Sequence, residues 1–337
     1  MDSMTAKVSL FARAYHTEKD GGNIFYDENA IRLLGADDYR ETASNMISGR
    51  EFFFPGFEGT DEEVLSAIVN RQLAPSVIGR SAFNDECMAK ADSCQYIIFG
   101  AGYDTYSYSD RHRVERIFEV DLPQVIVDKT AREKAAGLEV VGNRVFVPAD
   151  LGVKSSFVSG LYDAGFDRSR DVYCSMLGLS YYMTKEAFRN LAADISHLSD
   201  DSCTVCFDYP LREGSFETDR NRDLAKACGE EMKAEYDSGE MENLMRECGF
   251  EVTDYLDSDM INKRFFSSTG LMKAPEGAAY ILAEKKRERK QNKPRRDFFC
   301  MLPGFGIEFL KLSYSRHMGV HSSVNIYNLA CYIAAFI

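Results

Sequence analysis

Apolar and polar positions fall into two regimes along this chain. Up to about Ala91 the pattern is that of helices and loops: FARAYHTEKD starts one helix that stops at Gly21-Gly22, and Ile31, Leu33 and Leu34 carry the next. GREFFFPGFEG, broken by Pro55 and its glycines, reads as an aromatic loop. Asp61 to Leu73 reads as a helix, with Thr60 and Glu63 in capping-box spacing. Beyond Ala91 short apolar runs take over. Tyr96–Phe99, Arg116–Val120, Asn143–Val147, Asp171–Met176 and Ser202–Phe207 have the length of buried strands. Helical stretches separate several of them, one entered at Pro123 and one running from Thr184 to about His197. SGEMENLMRECGFEVTDYL gives a helix stopped by Gly249 and then a strand, and Ala278–Ala283 gives the last strand. Strands alternating with helices predict an α/β domain with a mainly parallel sheet. Glu217 to Ser238 is expected to be a charged, solvated helix.

The stretch QYIIFGAGYDTYSYSDRHRVERIFEVD holds the chemistry. An apolar strand ends at Gly100-Ala101-Gly102, where backbone without side chains can approach a ligand. Asp104 and Thr105 follow as caps of the next turn. Glu119 and Asp121 arrive about 20 residues after the first glycine, the spacing at which a carboxylate can accept from both hydroxyls of a ribose. The third glycine of a dinucleotide fingerprint is replaced by Thr105, which disfavours a pyrophosphate. A ribose-containing cofactor without phosphate fits better, and S-adenosylmethionine is the common one.

Composition narrows the field. With 337 residues and 45% apolar content the chain can bury a substantial core. The net charge of −13 hides a split: from Lys285 onward there are ten Lys/Arg and three Asp/Glu, leaving −20 for the rest, so nucleic acid is not an expected partner of the body. Nine cysteines without paired spacing and a start without an apolar signal core point to a reducing cytoplasm. Cys203 and Cys206 form a lone C-x-x-C inside a strand, where an offset of three sends the side chains to opposite faces; no metal is expected. The five histidines are isolated, and His16 and His112 read as packing or surface residues.

FGAGYDT followed by RIFEVDLPQVIVDK closely resembles the leucine carboxyl methyltransferase family of S-adenosylmethionine-dependent O-methyltransferases, over about Ala12 to Lys285. The resemblance implies a Rossmann-like class I methyltransferase fold: a mostly parallel seven-stranded sheet, its last strand inserted antiparallel, with helices on both faces. It also implies 1–90 as N-terminal helical lid and 91–286 as cofactor-binding domain, while composition sets off 287–337 as a basic, then apolar tail unlike the family. By the same resemblance Arg80 holds the carboxylate of the cofactor, with a surface ion pair as the competing reading. Asp150 and Leu151 contact the adenine, against Asp150 as a plain helix cap. Together with Gly100, Ala101, Gly102, Glu119 and Asp121 these complete the expected cofactor set. Two positions depart from the family pattern: Ala82 stands where a second arginine is usual, and Leu177 where members with protein substrates carry a glutamate.

The departure at Leu177 favours a small-molecule acceptor, methylated on a carboxylate or hydroxyl oxygen, while Ala82 bears on a substrate contact or only on packing. The alternatives are methylation of a protein C-terminus, a protein that binds the cofactor without transfer, and a nicotinamide-dependent oxidoreductase resting only on the glycine turn and the ribose carboxylate. A carboxylate acceptor is already ionised and needs no general base, whereas a phenol or alcohol does. Tyr182, Asp208 and Tyr209 are the catalytic candidates, and Tyr181 is weighed beside them as packing. For the tail, an untethered or loosely docked segment is expected first, a partner contact second and a membrane last.

Overall fold

The structure, a computed structural model, describes residues 4–91, 95–109, 114–140, 143–212, 231–267, 270 and 272–285. His112, most of the Glu217–Ser238 stretch and the tail from 286 lie outside the described residues.

The N-terminal region folds as α1 (Met4–Lys19), α2 (Glu28–Leu34), α3 (Ala36–Ser48), α4 (Arg50–Phe53) and α5 (Asp61–Ile68), which passes through a π turn into α6 (Ala74–Met88). The Thr60–Glu63 capping box is present at the start of α5. One reading is corrected here. The first part of GREFFFPGFEG is a single helical turn, because Gly49 ends α3 and the Phe54 N–H closes back on the Arg50 carbonyl before Pro55 intervenes. α1 is buried along most of its length, Lys7 to Thr17. Its charges are therefore paired: Lys7 Nζ lies 3.0 Å from Asp38 and Arg13 Nη1 3.1 Å from Asp27.

The sheet comprises β1 (Gln95–Phe99), β2 (Arg116–Asp121), β3 (Arg144–Pro148), β4 (Val172–Met176), β5 (Cys203–Pro210), β6 (Phe250–Leu256) and β7 (Ala278–Lys285), in the order β3-β2-β1-β4-β5-β7-β6. β1 to β5 run parallel, and β7 lies antiparallel between β5 and β6. β5 is longer than its apolar run suggests: pairing of Pro210 with Ala278 carries Asp208 and Tyr209 inside the strand instead of after it. α7 (Pro123–Ala136), α8 (Val158–Asp163) and α9 (Lys185–Ser196) connect the parallel strands.

Both faces of the sheet are covered, which is why all five positions of β1 are buried. Tyr96 and Ile98 pack with α1, α2 and α6 in one core, while Ile97 and Phe99 pack with Phe157, Leu161 and Phe188 in the other. The N-terminal helices thus share a core with the sheet. Cys203 and Cys206 are both buried on β5. No helix among the described residues is long and apolar enough to cross a membrane.

The order of the strands reverses between β1 and β4, the place where an open α/β sheet leaves a crevice at its C-terminal edge.

Candidate functional site

A cavity of about 440 Å³ opens at that reversal, inside the range of roughly 300–1,000 Å³ typical of small-ligand sites. Its floor is the carboxyl edge of β1, β2 and β4. α1 roofs it through Thr5, Ala6 and Ser9, and α6 walls it through Ser76, Val77 and Arg80.

The glycine turn after β1 forms one end. The Gly100 and Ala101 N–H groups donate to the Val120 carbonyl at 2.9 and 3.3 Å, pinning the turn to β2. Gly100 and Gly102 hold φ of +65° and +47°, and a Cβ at Gly102 would sit 3.2 Å from Ala6 of α1. Asp121 closes the turn from the other side: Oδ2 accepts from Gly102 N and Oδ1 from Leu122 N, each at 2.7 Å. A carboxylate offers about four lone-pair positions, so acceptor capacity remains where Asp121 lines the cavity. Burial pushes its pKa up, against the two backbone hydrogen bonds that pull it down.

Glu119 takes no part in the cavity. It is fully buried, with Oε2 2.5 Å from Lys129 Nζ and Oε1 accepting from Ser107 at 3.1 Å. Its pKa is raised by burial in spite of Lys129 and Arg144. Lys129 also donates to the Asp104 carbonyl at 2.6 Å, so this pair anchors the glycine loop from below. Glu119 and Asp121 are two residues apart and share a face of β2, so alternation does not separate them: Asp121 ends the strand at the cavity, whereas Glu119 lies two residues deeper under the glycine loop. Asp150 and Leu151 also lie off the cavity lining. The Asp150 carboxylate accepts from Gly152 N at 2.9 Å within its own turn, and Leu151 packs on the far core.

The opposite end is built around Arg80. Its Nη1 lies 3.2 Å from Asp208 Oδ2, and Nη2 donates to Ser9 Oγ at 3.4 Å. Burial works against the Arg80 charge, but Asp208 raises its pKa overall. Asp208 is fully buried and also accepts from Gly178 N at 2.6 Å. Gly178, at φ +67°, lies so close under the guanidinium that a Cβ there would be 2.7 Å from Arg80 Nη2. Arg80 has five N–H donors and spends two on these contacts, which leaves donors for an anion in the cavity.

Among the catalytic candidates, Tyr182 lines the cavity and Asp208 stands behind Arg80. Tyr209 turns into the other core against Phe207 and Tyr236. Tyr181 lines the cavity too, and burial, reinforced by Asp208, holds its pKa well above 10. Ala82 is buried, and Leu177 faces the cavity. His16 is a packing residue, fully buried with Nδ1 3.3 Å from Asp20. No His, Lys, Cys or Glu lines the cavity among the described residues.

Sequence reading did not single out Arg13, which donates to Thr105 Oγ1 at 3.1 Å and to the Tyr103 carbonyl at 2.7 Å and so ties α1 to the glycine loop. A cation in the middle of the apolar run SLFARAY was the available signal.

The leucine carboxyl methyltransferase family matches residues 6–196. YktD of Bacillus subtilis (strain 168), named among the S-adenosyl-L-methionine-dependent methyltransferases, is 31% identical over 301 residues, covering 84% of this chain and 98% of YktD. A Mycolicibacterium paratuberculosis protein with the same type of name is 29% identical over 202 residues, covering 58% of this chain and 62% of that protein. Two solved structures share the fold at 14% identity. One is a duf574 family protein from Streptomyces avermitilis, with TM-score 0.53, 83% of this chain and 97% of that one covered. The other is from Thermobifida fusca, with TM-score 0.50, 84% and 94% covered. The glycine turn, the acidic end of β2 and the extent of these matches lead to one assignment: the chain belongs to the leucine carboxyl methyltransferase family of S-adenosylmethionine-dependent methyltransferases.

Proposed function

We propose that the chain transfers a methyl group to an oxygen of a small molecule, a carboxylate before a hydroxyl. The observation that carries this reading is the lining itself: a cavity of about 440 Å³ roofed by α1, with no residue suited to act as a general base at the Arg80 end among those described. A carboxylate is ionised near neutral pH and reacts without such a base. A phenol would need one. Tyr181, its pKa pushed well above 10 by burial and Asp208, does not supply it.

The residues fit the cofactor. Asp121 would accept from the ribose hydroxyls, the Gly100–Gly102 turn admits close backbone approach, and Arg80 would take the carboxylate. When bound, the cofactor supplies an electrophilic methyl on a sulfonium. The chain contributes orientation and exclusion of water, and positioning of this kind is worth roughly 7–11 kcal/mol of a barrier. Helices α1 to α6 act as the lid in this reading, with Arg13 as the tie between lid and glycine loop. Asp208 holds Arg80 and Gly178 in place without touching the acceptor, so Asp208→Asn should retain part of the turnover. Loss of all turnover with intact cofactor affinity would assign it a direct role.

The test is calorimetric binding of S-adenosylmethionine and NAD, then methyl transfer to a panel of small carboxylic acids and phenols. Alkali-labile product marks an ester, alkali-stable product an ether. Binding of S-adenosylmethionine without transfer to either class would overturn the catalytic reading.

A further inference from the structure

α6 presents one stripe to the sheet, with Arg80 and Asn84 one helical turn apart. Arg80 reaches the cavity. Asn84, 8% exposed, instead enters a chain of buried hydroxyls that nothing above uses. Tyr173 Oη donates to Asn84 Oδ1 at 3.1 Å, and Asn84 Nδ2 donates to Tyr96 Oη at 3.2 Å. Tyr96 Oη and Ser175 Oγ are 2.8 Å apart. Either oxygen can donate across this contact; with Tyr96 accepting from Asn84 and donating its own proton to Ser175, the Ser175 proton is freed. Ser175, 1% exposed, lines the cavity at the carboxyl end of β4, three residues before Gly178 and the Arg80 guanidinium above it. In that arrangement the Ser175 proton is available to a ligand in the cavity. A buried hydroxyl proton without an acceptor is unfavourable, so an anion that receives it favours this arrangement. Burial pushes the pKa of both Tyr96 and Tyr173 well above 10, so neither phenol ionises across the working pH range.

We propose that Ser175 is a further cofactor-binding residue, a hydrogen-bond donor to the carboxylate of the amino-acid part of the cofactor, with Tyr173, Asn84 and Tyr96 as positioning residues that aim its proton. The assignment rests on the cofactor reading above. A carboxylate is the ligand group that suits a hydroxyl donor lining the same cavity as an arginine. The cofactor's ammonium group would need an acceptor at this position.

Three adenosine ligands separate the outcomes in calorimetry on the full chain. S-adenosylhomocysteine carries both carboxylate and ammonium, decarboxylated S-adenosylmethionine only the ammonium, and 5′-methylthioadenosine neither. Ser175→Ala should weaken S-adenosylhomocysteine about 10- to 100-fold and leave the other two unchanged, by the strength of a hydrogen bond to a charged group. Ser175→Thr, which keeps the hydroxyl, should restore most of the affinity. Tyr96→Phe should give a smaller loss confined to S-adenosylhomocysteine, because Ser175 remains but is no longer aimed. Equal weakening of all three ligands would reduce Ser175 to a packing role and overturn the proposal. Weakening of the decarboxylated ligand alongside S-adenosylhomocysteine would assign the contact to the ammonium and overturn the donor direction. No change for any ligand would overturn it outright. Failure of the unaltered protein to bind any of them would sink the cofactor reading instead.

Discussion

The half of the cavity over β1 and β2 is assembled from one contiguous stretch, Gln95 to Asp121, whereas the half around Arg80 draws on α1, α6, β4 and β5. The first half holds its shape through backbone: Val120 accepts from the glycine turn, and Asp121 from Gly102 and Leu122. The second holds its shape through side chains, with one buried ion pair and a glycine beneath it. A backbone-built site tolerates change in its surroundings but not in its own few residues. A side-chain-built site depends on partners far apart in sequence, so its failures should appear first as lost stability.

The largest effect is expected at Asp208. Its side chain is 1% exposed and that of Arg80 14%, so Asp208→Ala leaves a buried guanidinium without its counter-charge. Breaking such a pair costs about 3–5 kcal/mol, readable by urea denaturation. Replacing both partners by apolar residues, as in Arg80→Met with Asp208→Leu, should recover much of that loss while cofactor binding is still weakened. If Asp208→Ala proves neutral, the ion pair does not organise this half.

Next comes Asp121→Ala, where binding should suffer more than folding. Loss of the proposed charge-assisted pair of ribose contacts corresponds to roughly 3 kcal/mol, or about 100-fold in the calorimetric Kd for S-adenosylmethionine. A change under threefold would remove Asp121 from the site. Gly178→Ala should be milder in stability, about 1–3 kcal/mol, since alanine must adopt φ +67° and push the guanidinium away. It should weaken S-adenosylhomocysteine more than 5′-methylthioadenosine. Equal effects on both would mean that Arg80 does not serve the amino-acid end.

These two constructions explain what could be read from sequence. The strand, glycine turn and acidic end are local, so Gly100, Gly102 and Asp121 were legible from spacing and the α/β order from apolar runs. Arg80 was reachable only through family resemblance, because its partners are 71 and 128 residues away. Glu119 stays off the cavity lining for a local reason. It shares the acidic strand end with Asp121, but lies opposite Lys129, whose ten-residue separation on α7 carries no recognisable pattern. Asp150 and Leu151 fell outside the lining although the resemblance named them. Asn84 and Ser175 belong to a network that exists only once α6 crosses β1 and β4, and nothing in their own neighbourhoods announces it.

The smallest expected effect is also the one that sharpens the comparison most, because it belongs to the backbone-built half alone. Burial raises the Asp121 pKa from 3.8, so the folded protein binds this proton at a pH where a solvated aspartate is still ionised. For the ligand-free protein, Asp121 contributes stability below its unfolded pKa, and that contribution is lost as pH rises through the folded value. For the complex the sign reverses, since in the proposed reading the ionised carboxylate accepts from the ribose. Cofactor affinity should be full above the raised pKa and fall as pH drops through it, by about fivefold, the difference between a charged and a neutral acceptor. Asp121→Asn should start from weaker binding and show no such fall. A wild-type affinity that stays level from neutrality down to pH 3.8 would mean that the carboxylate is already fully committed to Gly102 and Leu122, and that the ribose is recognised by the turn itself.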